Sequence, residues 1–150
     1  MHKILFVCLG NICRSPSAEA VFATKAKHAR LSVIVDSAGT GDWHVGEAPY
    51  GPMQAAAKLR AYDLSPLRAR QFTVEDFSGF DLIVAMDEAN LRDIERLRPT
   101  GNDTPVKLMM SYAPQTRVTA VPDPYYTRDF DEALDLIEVA SDGLLAELQA

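Results

Sequence analysis

The run I-L-F-V-C at residues 4–8 is apolar without a break and ends at C-L-G-N-I-C-R-S-P, residues 8–16. A continuous apolar stretch of strand length, closed by turn-forming residues, reads as a strand covered on both faces. Such a strand needs helices on each side of its sheet. That commits the chain to an α/β architecture rather than a sandwich or a bundle. The run L-I-V-A-M at 82–86 repeats the pattern. Predicted strands cover residues 3–8, 32–37, 81–86 and 105–109, with helical segments between them.

Those helical segments carry their own start and stop signals. Ser15 is a suitable N-cap with Pro16 at the first helical position, and Ala18, Val21, Phe22, Ala26 and Ala29 line one stripe. Pro52 opens a second helix through Met53, Ala56 and Leu59, and residues 73–77 read as one short turn. Asp87 caps a further helix containing Leu91, Ile94 and Leu97, which Pro99 stops. The last helix runs from about residue 129 with Leu134, Ile137, Leu144 and Leu148 on one side. Gly143 inside it costs about 1 kcal/mol relative to alanine. The alternation predicts a doubly wound, four-stranded parallel sheet with helices on both faces. No linker, repeat or low-complexity tract divides residues 1–150, which read as one domain.

In such sheets ligands bind outside the carboxyl ends of the strands. Cys8, Ser37 and Asp87 fall at those ends, and residues 39–50 and 116–127 are long enough to wall a site. The loop after the first strand holds a cysteine, five residues, an arginine and a serine. The amides of Leu9 to Arg14 can turn inward as an anion nest, and the planar fork of Arg14 suits phosphate oxygens. Arg14 and the following helix N-terminus favour a thiolate at Cys8. Gly10 and Asn11 are residue types that tolerate the positive φ such a loop requires. Together these parts equip a phosphate-binding loop for nucleophilic attack on a phosphate ester. No G-K-[ST] and no G-x-G-x-x-G follows, so this is not a nucleotide-binding turn of the usual kinds.

Other residues admit two readings each. Ser15 can cap the helix and also hydrogen-bond the Cys8 sulfur. Cys13 is either a small apolar filler or a partner that traps oxidised Cys8 as a disulfide. The leaving group needs a proton, and Asp123, held between Pro122 and Pro124, is the first candidate. Asp87 is its rival. Read locally, an Asp-Pro turn and a helix cap account for the two. His2, His28 and His44 have no metal-ligand spacing with Cys8 and Cys13, so no metal or other cofactor is expected. His44 could tune the wall of the site from its place next to Trp43, but it reads first as a solvated loop residue.

Composition bounds the setting. Two cysteines only five positions apart do not make a disulfide framework and suit a reducing compartment. No signal-peptide core and no apolar run of membrane length is present, so a cytoplasmic protein without a membrane partner is expected. The formal net charge of −6 argues against nucleic acid as a partner and requires any anion site to attract its ligand locally.

With these residues in view, the chain resembles a low-molecular-weight protein-tyrosine phosphatase over nearly its whole length. The likeness rests on C-L-G-N-I-C-R-S-P-S-A-E at Cys8, on S-A-G-T-G-D-W-H-V-G, on R-A-R-Q-F, on M-D-E-A-N-L-R-D and on D-P-Y-Y at Asp123. It implies Cys8 as nucleophile, Arg14 as phosphate-binding arginine, Asn11 as the loop-shaping residue, Ser15 as thiolate support and Asp123 as general acid. It also implies Trp43 on the pocket wall and Tyr125 beside the substrate ring. Leu9 and Ile12, with Trp43 and Tyr125, would form an apolar slot deep enough for phosphotyrosine. The remaining substrate-binding positions are Gly10 and Cys13 of the loop. The implied substrate is a phosphotyrosine-containing protein, with phosphate or a similar oxyanion held in the loop. Arsenate reductases of this fold need cysteines after Cys13, and none exists. Arginine phosphatases of the fold carry threonine where Ile12 stands. A phosphotyrosine-binding regulatory module with little turnover is the alternative from another class.

Overall fold

β1 (His2–Cys8) is the strand around which the rest is laid out in the computed structural model, which describes residues 1–150. On one side it pairs with β2 (Val33–Gly39), on the other with β3 (Leu82–Ala85), and β3 pairs in turn with β4 (Val106–Leu108). All pairings are parallel, in the order β2-β1-β3-β4. The helices are α1 (Arg14–His28), α2 (Gly51–Lys58), α3 (Asp76–Gly79), α4 (Glu88–Glu95), α5 (Pro124–Thr127) and α6 (Phe130–Gln149).

Successive side chains of a strand point to opposite faces, and β1 divides accordingly. Ile4, Phe6 and Cys8 enter a core with Phe22 of α1 and Ile137 of α6, whereas Leu5 and Val7 join Ile94 of α4 and Phe77 of α3. The Phe6 and Phe22 rings lie 5.9 Å apart. The sheet is thus covered on both faces, which is why its central strand carries no polar residue between Ile4 and Cys8. The winding reverses at β1, so the carboxyl end of β1 is the place such a sheet offers for a ligand. Cys8 stands there, paired in register with Gly39.

Several boundaries differ from the sequence reading for physical reasons. β2 continues to Gly39 because Ala38 and Gly39 stay in register with Val7 and Cys8 of β1, and residues 70–72 add a second partner: Gly39 N donates to Arg70 O at 2.9 Å and Phe72 N to Gly39 O at 2.7 Å. α1 begins at Arg14, with Cys13 at the cap position and no side-chain cap. Ser15 therefore lies inside the first turn, and its hydroxyl serves the cysteine instead of the helix end. Pro16 still falls in that turn, where the missing N–H has no helical acceptor to lose. Ala29 is the C-cap of α1, past the end of the stripe. Leu97 lies beyond α4 and is exposed. α6 matches expectation, with Asp129 accepting from Glu132 N at 2.9 Å as its cap. Gly143 of α6 is more than a weak point, since a Cβ there would lie 1.8 Å from the Tyr112 carbonyl oxygen.

Candidate active site

In the loop from Cys8 to Arg14 four carbonyls are tied to the surrounding backbone. Cys8 O accepts from Thr40 N, Leu9 O from Gly41 N and Ile12 O from Tyr50 N, each at 2.9 Å. Cys13 O accepts from Ser17 N at 3.3 Å and Ser17 Oγ at 2.7 Å. Carbonyls held in this way leave the amides facing the inside. Those of Leu9, Gly10, Ile12 and Cys13 donate to no protein acceptor, while Asn11 N donates to Cys8 Sγ at 3.2 Å. This is an anion nest with a sulfur atom at its base. Asn11 alone supplies the positive φ, at 56°. Gly10 does not; a Cβ at that position would lie 3.2 Å from His44 Cδ2, so the imidazole would have to give by a few tenths of an ångström.

Behind the loop a buried chain of polar groups holds this shape. Asn11 Nδ2 donates to Ser15 Oγ at 2.7 Å and to Ser37 Oγ at 3.0 Å, and Asn11 Oδ1 accepts from Arg70 N at 3.0 Å. Ser37 Oγ donates to Glu19 Oε1 at 2.7 Å. Ser15 Oγ, already accepting from Asn11, keeps its own hydrogen for Cys8 Sγ at 3.0 Å or, less closely, Ala38 O at 3.3 Å. Burial raises the Glu19 carboxyl above its ordinary range, with Asp36 adding to the rise and Ser37 opposing it.

Two carboxylates meet the Arg14 guanidinium, and their geometry separates them. Arg14 Nη1 donates to Asp87 Oδ2 at 2.7 Å and to Val121 O at 3.0 Å, whereas Nη2 reaches Asp123 Oδ2 only at 3.5 Å. Asp87 is engaged twice, since its Oδ1 also accepts from Asn90 N at 2.8 Å and caps α4. Asp123 caps the one-turn α5 through Tyr125 N at 3.1 Å and is the carboxylate that lines the cavity above Cys8. Burial opposes the charge on Arg14, but Cys8, Asp87 and Asp123 together outweigh it and hold the guanidinium above its usual range. Burial and then the neighbouring Cys8 push the Cys13 thiol up to about 12.

The cavity has a volume of about 280 Å³. That lies near the lower end for ligand pockets and suits one aryl phosphate rather than a folded peptide segment. Its floor is Cys8 and the loop; Trp43, His44, Asp123, Tyr125 and Tyr126 form the walls. Asn11 and Ser15, expected among the substrate-binding residues, lie behind the floor at 2% and 0% exposure. They shape the loop from the protein side.

A family model described as low molecular weight phosphotyrosine protein phosphatase matches residues 3–150. The chain belongs to that family. A low molecular weight protein-tyrosine-phosphatase from Streptomyces coelicolor is 46% identical over 155 residues, covering 99% of this chain and 94% of its own. The crystal structure of YfkJ from Bacillus subtilis matches with a TM-score of 0.95 and 38% identity, over 99% of this chain and 95% of that one. A Drosophila arginine phosphatase, DARP, matches with a TM-score of 0.94 and 31% identity, over 100% and 99%. The phosphatase is therefore a hydrolase with the four-stranded parallel α/β fold of its relatives.

The phosphatase structure brings Cys8, Arg14 and Asp123, which the sequence reading grouped together, to one cavity although 109 positions separate the last two. Sequence reasoning named Asp87 and His44 without the contacts they make here, and it missed Tyr50. Asp87 is the closest partner of Arg14, a role hidden behind its equally real cap. His44 is not a freely solvated residue: it lines the cavity and its Nδ1 lies 2.6 Å from Glu47 Oε2. Its position beside Trp43 was the available signal. Tyr50, whose ring packs at a tilt against Tyr125 at 5.2 Å between centroids, gave none.

Proposed function

We propose that residues 1–150 act as one phosphatase domain that hydrolyses phosphotyrosine in proteins through a cysteinyl-phosphate at Cys8. The observation that carries this reading is the convergence of Cys8 Sγ, the unpaired loop amides, Arg14 and Asp123 on one cavity. The loop amides and Arg14 bind the non-bridging phosphate oxygens and stabilise the charge of the transition state. Cys8 thiolate attacks phosphorus as the bond to the phenolic oxygen breaks, and the Asp123 carboxyl group gives that oxygen its proton. Asp123, now a carboxylate, takes a proton from the water that attacks phosphorus in the second step. The sulfur–phosphorus bond breaks, its electron pair returns to Cys8, and Ser15 Oγ and Asn11 N receive the thiolate at 3.0 and 3.2 Å.

Substrate choice follows from the walls. Leu9, Ile12, Trp43 and Tyr125 offer apolar surface to a flat ring, and phosphoserine is too short to carry its phosphate past them to the loop. A guanidinium there would leave its donors facing apolar groups, which counts against phosphoarginine even though the DARP backbone is so similar. No helix is long and apolar enough to cross a membrane. The free, buried Cys8 and Cys13 support a reducing cytoplasm as the compartment.

Phosphate release from matched phosphotyrosine, phosphoserine and phosphoarginine peptides, with and without vanadate, tests the reading. Multiple turnovers on phosphotyrosine that vanadate blocks are expected. Faster release from phosphoarginine, or binding of phosphotyrosine without turnover, would overturn it.

A further inference from the structure

α5 is a single turn with Asp123 at its N-cap and Arg128 at its C-cap. So short a helix cannot hold its own position, and neighbours must fix where its N-terminal carboxylate points. On the sheet side, Val121 N donates to Met86 O at 3.0 Å and Pro124 is buried. On the outer side the contacts converge on one residue. The Tyr50 ring packs against Tyr125 at 5.2 Å and against Phe130 at 6.2 Å. Tyr50 Oη accepts from Arg128 Nη1 at 3.0 Å, and the Arg128 guanidinium lies over the Tyr50 and Phe130 rings at 5.2 Å each. Tyr50 is also tied to the other half of the site. Its N–H donates to Ile12 O in the phosphate loop at 2.9 Å, and it caps α2, whose Met53 and Ala57 are fully buried.

We propose that Tyr50 is the positioning residue for the general acid, a strut that spans from the Cys8 loop to both ends of the α5 turn and sets the distance between nucleophile and proton donor. The proposal rests on Asp123 being that donor. Tyr50 touches neither the phosphate loop's inner face nor the reacting atoms. It acts through its backbone bond to Ile12 and through its ring on Tyr125 and Arg128.

A positioning role has a signature that general destabilisation lacks. Protonation matters for a poor leaving group and hardly at all for a very acidic phenol. The readout is the ratio of kcat/KM for phenyl phosphate to that for 2,4-dinitrophenyl phosphate, measured in wild type, Tyr50→Leu, Tyr50→Phe, Arg128→Asn, Asp123→Asn and the Tyr50→Leu/Asp123→Asn pair. Asparagine is chosen at 128 because φ there is 63° and asparagine tolerates that region. A shift of about 1 Å in a reacting group costs on the order of 10²-fold, so Tyr50→Leu should lower the phenyl phosphate value about 10- to 100-fold and the dinitrophenyl value less than about threefold. Tyr50→Phe and Arg128→Asn should move the ratio the same way by less, which keeps the test alive if Tyr50→Leu melts. The double variant should show the ratio of Asp123→Asn alone. Equal losses on both substrates, or a further ratio change in the Asp123→Asn background, would overturn the role of Tyr50. An unchanged ratio in Asp123→Asn itself would overturn the acid assignment and the strut with it, whereas a change there and none in the Tyr50 and Arg128 variants would overturn the strut alone.

Discussion

Asp87→Asn separates the two carboxylates that touch Arg14. Asparagine keeps one acceptor oxygen, which can cap α4 as Asp87 Oδ1 does at 2.8 Å from Asn90 N. In that orientation its amide nitrogen replaces Oδ2 and presents a donor to the Arg14 Nη1 donor that stood 2.7 Å away. If the amide flips, Arg14 regains an oxygen and the cap is lost, at a cost of about 0.5–2 kcal/mol in stability. A hydrogen bond to a charged group contributes about 1.5–3 kcal/mol. At 1.36 kcal/mol per tenfold in rate, complete loss is about 10- to 150-fold in kcat/KM. Arg14 keeps Val121 O at 3.0 Å and the weaker contact to Asp123, so the lower part of that range is expected. The assay is kcat/KM across aryl phosphates of graded phenol acidity, with urea denaturation alongside. The whole series should drop by one common factor while its dependence on leaving-group acidity stays as in wild type. A steeper dependence would make Asp87 the proton donor and refute the assignment of Asp123; an unchanged rate would show that Arg14 does not need this partner.

Other perturbations read other parts of the structure. At pH 8 iodoacetamide should alkylate Cys8 and spare Cys13, whose thiol burial and Cys8 push to about 12; peptide mapping that finds both modified equally would contradict this. The sign for stability follows: the fold favours the neutral Cys13 thiol, a contribution present below the ordinary value of 9.0 and lost as pH rises toward about 12. Tyr62 and Tyr112 titrate upward in the same way, so the melting temperature of wild type should be compared with that of Cys13→Ala over that window, with the steeper fall expected in wild type. Oxidation of Cys8 removes one cause of the raised Cys13 thiol, so peroxide inactivation should reverse with added thiol and become largely irreversible in Cys13→Ser; equal recovery in both would leave Cys13 a packing residue. Gly143→Ala gains about 1 kcal/mol of helix propensity but puts a methyl 1.8 Å from Tyr112 O, and overpacking of this kind costs about 1–3 kcal/mol, so net destabilisation is expected. A higher denaturation midpoint would mean that the Tyr112 turn moves aside freely.

Legibility followed the range of the interactions. The strands read well because β1 and β3 are buried on both faces and their apolar runs are continuous, and α6 read well because its stripe and its Asp129 cap are local. The Cys8 loop was legible as a unit because its donors, its φ-tolerant residue and its arginine are consecutive. What failed locally was decided at a distance. β2 gained its last residues from pairing with Val7 and Cys8, reinforced at Gly39 by a bridge to Gln71, and Ser15 moved off the cap because Cys8 and Asn11 claim its hydroxyl. Gly143 looked like a flaw until the Tyr112 carbonyl was placed against it. Local sequence put Asp123 ahead of Asp87 only on its stiff P-D-P setting, because an ordinary Asp-Pro turn and an ordinary helix cap account for the two. The resemblance strengthened Asp123, and in three dimensions Asp123 lines the cavity whereas Asp87 is the closer partner of Arg14.

The central claim is that the phosphoryl group passes through Cys8. Rapid acid quench during turnover of an aryl phosphate, followed by intact-mass and peptide analysis, measures it directly. One added phosphoryl group on the peptide containing Cys8 is predicted, accumulating further in Asp123→Asn with a dinitrophenyl substrate, because formation needs no acid there while hydrolysis lacks its base. Cys8→Ser should show neither the adduct nor turnover while remaining folded. A phosphoryl group on another residue, or aryl phosphatase activity retained in Cys8→Ser, would contradict the account.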